Sequence, residues 1–82
     1  MSKQAIVFGG SGFLGSHVAD ALSDEGHKVT VFDQKPSPYL RANQTMILGD
    51  ILDTKIVWKA IKGQDIVYHF AGMADLDQSA DK

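Results

Sequence analysis

Four apolar residues in a row, Ala5-Ile6-Val7-Phe8, run directly into Gly9-Gly10-Ser11-Gly12, and this junction constrains the chain more than any other feature. An unbroken apolar run this short reads as a strand buried on both faces, the pattern of a parallel sheet. The glycines break it. Downstream, Leu14, Val18, Ala21 and Leu22 recur at the spacing of one helix face, and Gly26 is placed to end that helix. Leu14, Val18, Ala21 and Leu22 are therefore the expected inward side.

The same grammar repeats. Val29-Thr30-Val31-Phe32 reads as a second strand closed by Asp33, and Thr45-Met46-Ile47-Leu48 as a third stopped by Gly49-Asp50. Between them, Gln34 to Gln44 holds both prolines and reads as a loop, with room for one helical turn over Tyr39 to Ala42. Asp53 is placed to cap a helix with Ile56, Val57, Ala60 and Ile61 inward and Gly63 at its end. Ile66-Val67-Tyr68-His69-Phe70 is the fourth strand, ended by Ala71-Gly72, and residues 73–82 read as a polar tail. Strand and helix alternate as β-α-β-loop-β-α-β, the signature of an α/β fold with a parallel sheet.

Gly10-Ser11-Gly12-Phe13-Leu14-Gly15 fits G-x-G-x-x-G, and Gly9, Gly12 and Gly15 fit G-x-x-G-x-x-G equally well. Such a motif gains meaning from a preceding strand, a following helix and an acid at the end of the next strand, and all three are present. A bare Gly12 lets main chain approach a pyrophosphate, while Gly15 permits close packing of the helix. The free N–H groups and dipole of the first helical turn attract the anion. No Lys-Ser or Lys-Thr follows the loop, which disfavours a nucleoside triphosphatase of the P-loop type. Asp33, 18 residues after Gly15, is placed to accept hydrogen bonds from ribose hydroxyls and to repel a 2′-phosphate. NAD is thereby favoured over NADP, although Lys35 and Arg41 lie close enough in sequence to leave NADP open.

These segments resemble the extended short-chain dehydrogenases/reductases, the NAD-dependent nucleotide-sugar epimerase/dehydratase family. Gly9 to Val18 is similar to its N-terminal fingerprint, Asp33 ends strand two, and Gly49-Asp50-Ile51-Leu52-Asp53 resembles its Gly-Asp-(Ile/Leu)-x-Asp segment. Val67 to Gly72 is similar to the His-Leu-Ala-Ala/Gly end of its fourth strand. The resemblance implies a partial Rossmann fold with a parallel sheet of about four strands in the order 3-2-1-4 and flanking helices. It implies that Gly9, Gly12, Phe13 and Leu14 contact the pyrophosphate and that Asp33 holds the ribose. Asp50 and Ile51 would border the adenine, and Phe70, Ala71 and Gly72 would line the cofactor along strand four.

The family's catalytic Tyr-x-x-x-Lys has no counterpart here, since Tyr39 is followed four places later by Asn43 and Tyr68 by Gly72. No catalytic residue is assigned. Residues 1–72 thus read as the N-terminal half of a dinucleotide-binding domain, with a nucleotide-sugar substrate expected only in a full-length protein. The alternatives are a non-catalytic module that binds an adenine nucleotide, or an inactive truncated fragment.

The remaining candidates have plainer explanations. His69 reads as a packed residue at the edge of the core, Trp58 as a partly exposed packing residue, and His17 and His27 lack partner acids at metal-ligand spacing. Asp75, Asp77 and Asp81 read as a solvated tail. A net charge of −2 with acids and bases interspersed offers no stripe for nucleic acid. No segment has the ~20 apolar residues of a membrane span, and no signal-peptide core follows Met1, so a cytoplasmic location is expected. An apolar fourth strand left at a sheet edge is expected to favour self-association, two copies pairing along it, or else poor solubility.

Overall fold

The computed structural model describes residues 2–70 of the 82, so the expectations on Ala71, Gly72 and the acidic tail lie outside the described residues. Six elements follow in order: β1 (Gln4–Phe8), α1 (Phe13–Asp24), β2 (Lys28–Asp33), β3 (Gln44–Leu48), α2 (Thr54–Ile61) and β4 (Ile66–His69). The four strands are all parallel and lie in the order β3-β2-β1-β4, the partial Rossmann arrangement that the resemblance implied.

Burial explains why the first strand is apolar without interruption. Successive side chains of a strand point to opposite faces, and both faces of β1 are covered. Ala5 and Val7 pack with Val29, Val31, Ala19 and Leu22 on the side of α1. Ile6 and Phe8 pack with Phe32 and Ala60 on the other side, which Ile56, Val57 and Ile61 of α2 also cover. The Phe8 and Phe32 rings meet at 5.0 Å with a 53° tilt, a favourable geometry for their quadrupoles.

Helix ends are chemically specified. Gly26, at φ +89°, follows α1, and the N–H groups of Gly26 and His27 bond back to the carbonyls of Ser23 and Leu22. This crossed pair satisfies carbonyls that the helix leaves open. Asp53 caps α2 by accepting from the Ile56 N–H at 3.4 Å, and Gly63 follows that helix.

Three expectations need correction. The buried side of α1 is Gly15, Ser16, Ala19, Leu22 and Ser23, whereas Leu14 and Ala21 are exposed and Val18 is half-buried. Smallness decides this face, because the helix sits so close to the turn after β1 that a Cβ on Gly15 would lie 2.5 Å from the Gly9 carbonyl oxygen and 2.8 Å from Gly10 Cα. No helical turn forms over Tyr39 to Ala42; the loop makes two plain turns, at residues 38–39 and 42–43. His69, read as packed at the edge of the core, is exposed, its ring 5.7 Å from that of Phe8; Trp58, read as partly exposed, is 74% exposed. Among the described residues β4 pairs with β1 alone, which leaves its residues little cover.

Gly15→Ala tests the close approach. The added methyl meets main chain rather than a movable side chain, and such overpacking typically costs about 1–3 kcal/mol. Urea unfolding should show a loss in that range, while Ala21→Ser on the exposed side should change stability by less than about 0.5 kcal/mol.

Candidate functional site

Parallel strands all end on the same side of the sheet, so segments remote in sequence converge there. Each strand end hands its ladder on to the loop that follows. The Gly9 N–H donates to the Phe32 carbonyl at 2.8 Å, the Gly49 N–H to the Asp33 carbonyl at 3.0 Å, and the Phe70 N–H to the Phe8 carbonyl at 2.7 Å. Together these loops border a cleft of about 550 Å³, lined by Gly9, Gly12, Phe32, Asp33, Gln34, Gly49, Asp50, Ile51, Leu52 and Phe70. Open α/β sheets present their ligand crevices at this end, beside the point where the strand order reverses. Here that point lies between β1 and β4.

The glycine turn forms the wall beside α1. Gly9 takes φ +80°, which turns the chain sharply out of β1 at no Cβ cost. Gly12 is the N-cap of α1, exposed, and among the described residues beyond its chain neighbours its missing Cβ would approach just the Gly9 carbonyl oxygen, at 3.7 Å. Ser16 donates its N–H to the Gly12 carbonyl at 2.9 Å, so the helical ladder begins there. Among the described residues, the N–H groups of Phe13, Leu14 and Gly15 find no acceptor. A helix start of this kind, bare of side chain at the cap and with open donors, suits a phosphate group.

Asp33 stands across from this turn at the end of β2. One carboxylate oxygen accepts the Ser11 N–H at 3.1 Å and the other the Gln34 N–H at 2.7 Å. A carboxylate offers about four acceptor positions, so capacity remains for hydroxyl donors from a ligand. Asp50 lines the far side and is partly spoken for: its side chain accepts the Leu52 N–H at 2.9 Å and its carbonyl accepts the Asp53 N–H at 2.9 Å. These bonds fix the turn that presents Ile51 to the cleft.

Six of the expected residues therefore meet in one cleft: Gly9, Gly12, Asp33, Asp50, Ile51 and Phe70. Phe13 and Leu14 sit outside its lining, exposed at the helix start, with the Phe13 ring edge-on to His17 at 4.4 Å. Sequence reasoning passed over Phe32, Gln34, Gly49 and Leu52, which border the same space. The sequence marks Phe32 only as a strand residue. Position gives the signal for the other three, since each lies within four residues of the end of β2 or β3.

Arg41 does not reach this cleft. Its guanidinium pairs with Asp24 at 2.7 Å and Asp20 at 3.2 Å on the last turns of α1, and the bond to Asp24 raises its pKa further. Gln44 completes the cluster. Its buried amide donates to Asp20 at 3.1 Å and Ser23 at 3.0 Å, and its carbonyl oxygen accepts the Arg41 N–H at 3.1 Å. The cluster ties the loop before β3 to the far end of α1. His27 is likewise engaged away from the cleft, accepting the Lys3 N–H at its Nδ1 and approaching Glu25 at 3.6 Å. Among the described residues no cluster of metal-ligating side chains occurs, and no helix is long and apolar enough to cross a membrane.

With this geometry in view, comparisons with known proteins give a consistent picture. A model of the "NAD dependent epimerase/dehydratase family" matches residues 5–82. A 3-beta-hydroxysteroid dehydrogenase of Mycolicibacterium neoaurum is 38% identical over 74 residues, covering 89% of this chain and 20% of that protein. A UDP-N-acetyl-alpha-D-glucosaminuronate decarboxylase of Bacillus cytotoxicus is 32% identical across 100% of this chain and 27% of its own length. Among solved structures, the Bordetella bronchiseptica enzyme WbmH in complex with NAD+ superimposes with a TM-score of 0.75 at 30% identity, over 84% of this chain and 25% of that one. The chain thus spans about a quarter of the length of these relatives.

The Gln44 cluster is open to test. Gln44→Ala removes a buried amide and its bonds to Ser23 and Asp20, and urea unfolding should show a loss of about 1–3 kcal/mol. Arg41→Ala should cost less, and its effect should shrink in molar salt because the guanidinium is exposed.

Proposed function

Because this chain belongs to the NAD-dependent epimerase/dehydratase family, we propose that its described residues hold the ADP-ribose half of NAD. The first turn of α1 receives the pyrophosphate, Asp33 the adenosine ribose, and Asp50 with Ile51 the adenine edge. One observation carries this reading: Gly12, the side-chain-free N-cap of a helix whose first N–H groups are open, and the carboxylate of Asp33 one strand away line a single cleft. An anion and a sugar bearing two hydroxyls, joined together, suit that pairing better than either alone. Phe70, just past β4, extends the path.

The relatives add support of a different kind. Their printed names divide between a steroid dehydrogenase and a sugar-nucleotide decarboxylase, while the segment they share with this chain is the same. A segment common to enzymes with unlike substrates serves what they have in common, and one matching structure was solved with NAD+ bound. The nicotinamide supplies hydride transfer when the cofactor is bound. These 82 residues contribute binding and orientation, because they contain no Tyr-x-x-x-Lys to move the accompanying proton. A nucleotide-sugar substrate belongs to the chemistry of the complete family enzyme and falls outside the site described here.

NAD is preferred over NADP in this reading, since Asp33 faces the ribose and Arg41 is bound elsewhere. Calorimetry with NAD, NADP, ADP-ribose and AMP tests the assignment. Asp33→Ala should weaken ADP-ribose about 10- to 100-fold, the worth of one or two hydrogen bonds to a charged acceptor. Gly12→Asp provides a variant of opposite sign. Aspartate is a preferred N-cap, and the backbone there (φ −74°, ψ 167°) suits it, so unfolding should show unchanged or slightly greater stability. Its carboxylate would nonetheless occupy and repel the pyrophosphate position, abolishing measurable binding. If the unmodified chain binds no adenine nucleotide at millimolar concentration, the function assigned here is wrong.

A further inference from the structure

Ser11 holds two strand-end loops together. Its main-chain N–H donates to Asp33 at 3.1 Å, and its hydroxyl donates to the Lys35 carbonyl at 2.6 Å. Asp33 in turn accepts the Gln34 N–H at 2.7 Å. The turn after β1 and the three residues that end and follow β2 are therefore stitched at two points by a single residue. Neither bond is part of the sheet ladder, and the serine lies between Gly10 and Gly12, where a glycine-rich turn on its own would be compliant.

Resting on the function proposed above, we propose that Ser11 is a positioning residue that fixes the spacing between the pyrophosphate and ribose subsites before ligand arrives. A ligand that spans two subsites gains from their being held at the right separation, whereas a ligand confined to one does not. The Ser11 hydroxyl touches neither subsite's donors or acceptors directly. It acts through Lys35, whose main chain it anchors, and so through the orientation of the Asp33–Gln34 segment. The serine at this place in the motif contributes by its side chain as well as by its backbone.

Ser11→Ala keeps the N–H bond to Asp33 and removes the hydroxyl bond to Lys35, which isolates the second stitch. Titrations of the 82-residue chain with ADP-ribose by calorimetry, and with adenosine and inorganic pyrophosphate by chemical-shift changes, should separate spanning from single-site ligands. ADP-ribose should weaken about five- to tenfold, in line with the loss of one hydrogen bond. Adenosine and pyrophosphate should change by less than about twofold, within the spread expected when no direct contact is removed. Ser11→Thr retains the hydroxyl and should restore ADP-ribose binding. In the ligand-free protein, amide exchange at Gln34 and Lys35 should quicken in the alanine variant and return with threonine.

Unchanged ADP-ribose affinity in Ser11→Ala, with the parent chain binding normally, would overturn the positioning role and leave the proposed function intact. Equal weakening of all three ligands, or failure of threonine to restore binding, would overturn it too, because general damage to the turn predicts both. Absence of ADP-ribose binding in the parent chain would remove the function itself and this inference with it.

Discussion

Main chain pressed against main chain, where Gly15 of α1 meets Gly9 and Gly10, is the contact on which the rest of the molecule depends. Nothing larger than hydrogen fits between them, since a Cβ on Gly15 would stand 2.5 Å from the Gly9 carbonyl oxygen. That approach makes the helix start immediately after the turn rather than several residues later. It also sets the helix close over β1 and β2, so small residues, Ser16 and Ala19 among them, face the sheet. The helix's N-cap, Gly12, thereby comes to line the cleft.

Topology does the remaining assembly. With every strand parallel, residues near 9, 33, 50 and 70 reach one edge of the sheet although more than sixty residues of sequence separate the first from the last. The ladder bonds that continue past the strand ends, Gly9 to Phe32, Gly49 to Asp33 and Phe70 to Phe8, hold the loops in register with the sheet beneath. Core packing and site geometry are therefore the same problem. Phe32 illustrates this, because its ring packs against Phe8 in the core and also forms part of the cleft wall.

Strand positions and the glycine turn were legible in the sequence because each follows from a strong local rule. β1 and β2 are apolar runs of the right length, and Asp33 sits where a strand must stop. The buried side of α1 was not legible, for a physical reason: hydrophobic spacing marks Leu14 and Ala21, whereas close approach selects for size and turns Gly15, Ser16 and Ser23 inward. The exposure of His69 was not legible because burial of a residue depends on what covers it, and the strand sequence does not carry that information locally. The two stitches made by Ser11 escaped notice since serine is unremarkable in a turn, and its partners Asp33 and Lys35 lie 22 and 24 residues away.

Charge placement bears most directly on the proposed preference of the cleft for NAD over NADP. In sequence, Lys35 and then Arg41 are the candidate partners for a 2′-phosphate. In space Arg41 is committed to Asp20 and Asp24, beside Gln44 at the start of β3. Gln44 pairs with Val29, four positions before Asp33 on β2, and at the strand rise this puts it about 13 Å from the level of the cleft. A cation at that distance, already neutralised by two carboxylates, does little at the mouth, where screening lengths are about 8–10 Å. Lys35 is the nearer cation, but its main chain is drawn toward the glycine turn by Ser11 while the carboxylate of Asp33 stands at the cleft itself. The field at the proposed ribose position is therefore set by a negative group held in place by two N–H donors, and a further negative charge brought beside it would meet repulsion without a committed counter-ion.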